Sequence, residues 1–171
     1  MAEWMVGPRR WFEAAAGRSI AAAAVLAVLA PTARGQQKPL SGSGTTPIAF
    51  GAIFPGVPTS VPRTDAVRAG SFDVRGTKNV QVRFDFALPA AMTNAGGRTL
   101  PLAFGAGDGG YATTATIAAA TAFDPRVALL ARLSNTGRLY IWLGGTVLPG
   151  SQQASGAYSA TLTMTMAYTG L

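Results

Sequence analysis

This sequence predicts an all-β fold, an antiparallel β-sandwich, on three observations. Short segments alternate apolar and polar side chains with a period of two, the spacing of a strand with one face in a core. The 21 Gly and 11 Pro residues punctuate those segments, and long helical periodicity is missing. The closing stretch "SGAYSATLTMTMAYTGL" is the most regular of all. In it Tyr158, Ala160, Leu162, Met164, Met166 and Tyr168 share one face, while Ser159, Thr161, Thr163, Thr165, Ala167 and Thr169 share the other.

The elements follow in order. "MAEWMVGPRRWFEAAAGRSIAAAAVLAVLAPTARGQQ" has Arg9, Arg10 and Arg18 before an apolar run from Ile20 to Ala30, then the small residues Ala33 and Gly35. That is the order of a secretory signal peptide, placed at residues 1–35 with cleavage after Gly35. The apolar run is shorter than the ~20 residues a membrane-spanning helix needs. "RRWF" resembles a twin-arginine export signal, although Pro8 stands where Ser or Thr is usual, so both export routes stay open. Residues 36–46, "QQKPLSGSGTT", read as a flexible polar arm, and residues 47–171 as one β-sandwich domain.

"PIAFGAIFPG" reads as a first strand through Ile48 and Phe50, and the proline-containing "VPTSVPRTDAV" as a loop. "GSFDVRGTKNVQVRFDFALP" reads as a hairpin: Phe72 and Val74 share the apolar face of one arm, and Val80, Val82, Phe84, Phe86 and Leu88 that of the other. "NAGG" is a loop, Leu100, Leu102 and Phe104 open another strand, and Tyr111–Ala120 a further one. "FDPRVALLARLSNTG" is read as a helical turn begun by Asp124 and Pro125 that enters a strand. "RLYIWLGGTVLPG" is apolar on both faces, as a central strand is. The inward set, from Phe72 to Met166 with Ile141, Leu143 and Leu162, suffices for one core.

Composition excludes much chemistry. The chain has no Cys and no His, which removes disulfides, His-based metal sites and His-dependent nucleophiles. After Gly35 there are ten Lys and Arg against five Asp, scattered in sequence without a basic run. Nucleic-acid binding is therefore not expected. Asp73 and Asp85 sit beside Arg75 and Arg83, the pattern of surface ion pairs across a hairpin rather than of an acid and base couple. Asp108 in "GAGDGGY" is a lone acid, too few oxygen ligands for calcium. The sequence predicts no enzyme and no cofactor.

"GRLYIWLGGTVLPGSQQASGAYSATLTMTMAYTGL", with "FGAIFPG", "GSFDVRG" and "LPAAMTNAGGRTLPLAF" upstream, resembles a family of exported bacterial domains of unknown function. These are similar to the spore coat protein U domain and to chaperone–usher pilin subunits. The resemblance implies an immunoglobulin-like sandwich that lacks its last strand, filled by strand addition from a periplasmic chaperone or a sibling subunit. It also implies a Gly twelve residues before a near-terminal Tyr, matched by Gly156 and Tyr168. Strand complementation is thereby assigned to Ile48, Phe50, Gly156, Tyr158, Leu162, Met164 and Tyr168. The donor is read as "PIAFGAIF", unless the chain does not polymerise in this way. The expectation is a secreted, non-enzymatic structural or adhesive protein of the periplasm or cell surface, in a membrane only during export. The alternatives are a small outer-membrane β-barrel and a carbohydrate-binding module using Trp142, Tyr111 or Asp108.

Overall fold

The computed structural model describes residues 37–169; the expected signal peptide lies outside the described residues. The strands in chain order are β1 (Ser41–Thr46), β2 (Thr59–Val61), β3 (Gly70–Arg75), β4 (Gln81–Ala87), β5 (Ala91–Thr93) and β6 (Thr99–Ala103). There follow β7 (Gly109–Ala112), β8 (Thr121–Phe123), β9 (Leu129–Arg132), β10 (Arg138–Leu143), β11 (Gly145–Val147) and β12 (Thr163–Tyr168). One 3-10 turn, Ile117–Ala119, is the helical element among the described residues. All pairings are antiparallel, in a five-stranded sheet β1-β3-β10-β7-β8, a four-stranded sheet β2-β11-β6-β5 and a three-stranded sheet β12-β4-β9. The sheets do not close into a barrel. The fold is the expected all-β sandwich.

The main core lies between the five-stranded and three-stranded sheets. Val74, Leu139, Ile141 and Leu143 come from one side, Val82, Phe84, Leu129 and Ala131 from the other. A second core, Phe50, Val61, Ala69, Leu100 and Val147, lies under the four-stranded sheet. Between β10 and β11 the chain changes sheet at Gly144, where an added Cβ would run into the Val61 carbonyl. Only glycine permits that approach. As expected, β10 is central, with β3 and β7 on its two sides.

Four expectations need correction. The supposed hairpin exists as two strands that are not partners: β3 pairs with β1 and β10, and β4 with β12 and β9. Their apolar faces meet across the core, and the connecting residues, with Asn79 at φ 59°, carry the chain from one sheet to the facing one. The arm at 36–46 is not free, because Ser41–Thr46 is β1, paired with β3. "PIAF" is not a strand: Ala49 donates to the Arg68 carbonyl at 2.9 Å, and Ile48 and Phe50 turn into the cores. The proline-rich loop contains β2, an edge strand pairing only with β11 among the described residues; at an edge, flanking prolines cost no ladder bond.

Smaller differences follow the same logic. Asp124 begins no helix; its Oδ1 accepts from the Arg126 amide at 3.0 Å, and the chain then enters β9. Residues 111–120 are strand only to Ala112. The long closing strand divides: Ser159 bridges to Thr93 beside β5, and only Thr163–Tyr168 pairs with β4.

Candidate assembly edge

β12 is the last strand of its sheet, and β4 is its one hydrogen-bonded neighbour among the described residues. Thr169 donates to the Gln81 carbonyl at 3.2 Å. Because successive backbone groups of a strand point to opposite edges, the amides of Thr163, Thr165 and Ala167 point at β4. Those of Met164, Met166 and Tyr168 then point away from it, along the free edge. The alternation expected from sequence is present, with Leu162, Met164, Met166 and Tyr168 half-buried against the main core and Thr163, Thr165 and Ala167 exposed.

β1 runs beside this edge in the opposite direction, without ladder pairing to it. The Tyr168 hydroxyl donates to the Lys38 carbonyl at 2.8 Å and accepts from the Thr77 amide at 2.7 Å. Farther along, an added Cβ on Gly42 would stand 2.7 Å from the Met166 methyl and 3.1 Å from that of Met164. β1 itself is "SGSGTT", which contributes no large apolar side chain. Among the described residues the flank of the sandwich is thus two unpaired strand edges with an apolar face between them, covered on one side by glycine backbone.

Beyond Gly44 the flank opens. A cavity of about 370 Å³ is lined by Thr46, Ile48, Phe50, Phe72, Met92 and Leu162, among others. A second, of about 500 Å³, shares Ile48, Phe50 and Met92 with it and adds Gln153, Gly156 and Tyr158. Five of the seven residues assigned from sequence, Ile48, Phe50, Gly156, Tyr158 and Leu162, therefore line two adjoining cavities, and Met164 and Tyr168 continue along β12. Ile48 and Phe50 are placed differently from the donor expectation. Phe50 is 7% exposed, so in this structure both are wall rather than donated side chains.

Two tyrosines fix the ends of the surface. The Tyr158 hydroxyl donates to the Ala154 carbonyl and accepts from Gln153 Nε2, both at 2.7 Å, and Gln153 also donates to the Thr99 carbonyl. Gly156 at φ 139° lies against the Asn94 side chain. Met92, Phe72 and the glycines of β1 were missed by sequence reasoning. Met92 sits in a three-residue strand, too short to show a period, and Gly42 acts through the side chain it lacks.

The alternative sites do not assemble. Trp142 is 9% exposed and stacks on Tyr140 with ring centroids 6.2 Å apart. Tyr111 aligns with Ile141 and faces the core, whereas Trp142 aligns with Gly110 on the opposite face. Asp108 Oδ2 accepts from the Gly105 amide at 2.7 Å. Asp73 and Asp85 stand on different sheets, each bonded to the Arg two residues away on its own strand, at 2.9 Å and 2.8 Å. The hydrogen bonds from Arg83 lower the Asp85 pKa. Among the described residues no group of three or more acids could hold a metal ion. Comparison with protein-family models, with curated proteins and with solved structures finds no match.

Proposed function

We propose that this chain is a secreted, non-enzymatic structural or adhesive surface protein, a pilin-like subunit that takes up a β-strand from another molecule along the edge of β12. One observation carries the reading: a strand edge with no further partner among the described residues, whose inward side chains are half-buried and adjoin open cavities. A monomer gains by covering such an edge, because unpaired backbone groups and exposed apolar surface both favour an added strand. The added strand comes from a periplasmic chaperone during export and from a sibling subunit afterwards. Specificity resides in the alternate side chains that reach Leu162, Met164 and the wall formed by Ile48, Phe50 and Phe72.

Thermal unfolding of the purified protein with short synthetic peptides that alternate Val or Ile with Thr tests the reading. A peptide that binds only the native state at a hundred times its Kd adds about 2.7 kcal/mol, seen as a raised Tm. An unchanged Tm with every peptide, together with only monomeric protein in native extracts, contradicts it.

A further inference from the structure

We propose that the end of the sandwich at the β3–β4 turn is a binding site for a polysaccharide bearing sulfate or phosphate groups. The site does not rest on strand addition and lies on other residues. Lys38, Arg75, Thr136 and Arg138 line a cavity of about 400 Å³ whose floor includes Gly76 and Gly137. Lys78 borders the same turn, its backbone nitrogen 3.5 Å from where a Cβ on Gly137 would stand. Arg132 donates from Nη1 to the Asn79 carbonyl at 2.7 Å. Five cations from three separate stretches of the sequence are thus gathered at one end.

The acids do not balance them. Asp73 bonds Arg75 at 2.9 Å, but Asp65, Asp85 and Asp124 are held by Arg68, Arg83 and Arg126 elsewhere, and Asp108 by a backbone amide. Arg138 is directly opposite Arg75 in the β10–β3 register, and the Asp73 carboxylate, which accepts from Arg75 Nε and Nη2, offsets part of that like-charge contact. Arg138 donates from Nη1 to the Tyr140 hydroxyl at 2.8 Å. Arg138, bonded to no carboxylate among the described residues, and Lys38 are the cavity cations left to meet an incoming oxyanion, and a guanidinium fork suits a sulfate or phosphate oxygen pair.

The frame is rigid. Gly76 donates to the Gly137 carbonyl at 2.9 Å and Asn79 to the Ser134 carbonyl at 3.1 Å. Gly137, at φ 77°, packs so closely that a Cβ would overlap the Gly76 carbonyl. The Tyr168 hydroxyl ties Lys38 and Thr77 to this frame. A preorganised cation array loses little entropy on binding.

A polymer fits better than the other polyanions. Beside the cavity cations stand Lys78 and Arg132, and five cations against the one carboxylate of Asp73 carry more charge than one small anion neutralises. Of the exposed large apolar side chains, Phe54, Val57, Val67, Val127 and Leu148 lie outside the segments that build this end and Leu130 alone adjoins it, two residues from Arg132 on β9, which is too little apolar surface among the described residues to anchor a bilayer. Tyr140 is stacked on Trp142 and the Tyr168 ring is half-buried against the main core, so neither of these two aromatics presents a fully exposed ring for stacking a base.

Calorimetric titration of the purified protein with dextran sulfate, uncharged dextran, sodium sulfate and phosphatidylglycerol vesicles tests the proposal. Dextran sulfate binds, uncharged dextran does not, and the affinity falls as salt rises. Replacing three exposed cations together, Lys38→Gln, Lys78→Gln and Arg132→Gln, weakens binding by about tenfold or more. The control Arg68→Gln, Arg98→Gln and Arg126→Gln removes the same charge elsewhere and changes binding by less than about twofold. Amide shifts on adding dextran sulfate centre on Gly76–Asn79 and Ser134–Arg138, a readout that survives any loss of stability in the variants. Equal losses in the two triple variants, tighter binding to vesicles, equal binding of free sulfate, or shifts centred elsewhere overturn it.

Discussion

Tyr168 links three segments through one hydroxyl: the end of β12, the backbone at Lys38 and the β3–β4 turn at Thr77. Tyr168→Phe leaves the part-buried Thr77 amide without its partner. The expected cost is about 1–3 kcal/mol, read as a lower urea midpoint with an unchanged denaturant slope. Gly76→Ala acts on the same point from the other side, since its Cβ would overlap the Tyr168 hydroxyl and stand 2.9 Å from Leu133 Cδ1; overpacking of this kind costs about 1–3 kcal/mol. Asp124 offers a pH test. Arg126 holds its carboxyl at about 2, below the ordinary 3.8, first through its side chain and then through its backbone amide. A depressed folded-state value stabilises above pH 3.8 and loses that contribution as pH falls toward 2. Asp124→Asn therefore lowers Tm slightly at pH 7, and the difference shrinks between pH 4 and pH 2.

At the scale of elements, the central strand β10 and the edge strand β12 predict opposite responses. Ile141 on β10 is fully buried, and Ile141→Ala costs about 2–5 kcal/mol in the unfolding free energy. Met166 on β12 is half-buried against Gly42, and Met166→Ala costs clearly less in the same urea melts. Equal costs would mean that the β12 face is already sealed. The sequence made both strands legible, because alternation around Leu162–Tyr168 and the two-faced run at Leu139–Leu143 are local patterns. Partnership was not legible. Phe72 and Val74 alternate alike whether β3 lies beside β4 or faces it, so a turn was read where the chain crosses between sheets. β1 was missed for a related reason: "SGSGTT" has no apolar period, and its place comes from β3 and from glycines that fit over Met164 and Met166.

At the scale of the whole molecule, β1, β3, β10 and β7 stand in the order of the A, B, E and D strands of an immunoglobulin constant domain, and β4 and β12 stand as C and F. The place of the G strand, beyond β12, holds no strand among the described residues. Strand order was outside the reach of periodicity, whereas the residues assigned from the resemblance fall mostly in the closing segment, which lines one side of the cavities. The charge distribution was the reverse case: ten cations that look scattered along the chain include five that the topology gathers at one end. The open edge is tested most directly by amide hydrogen exchange along β12, with and without an alternating strand peptide. The account predicts that Thr165 and Ala167 are protected in both states, whereas Met164, Met166 and Tyr168 exchange fast alone and slowly with peptide. Amides at Met164, Met166 and Tyr168 that are already protected in the free protein, or that stay fast at saturating peptide, would contradict it.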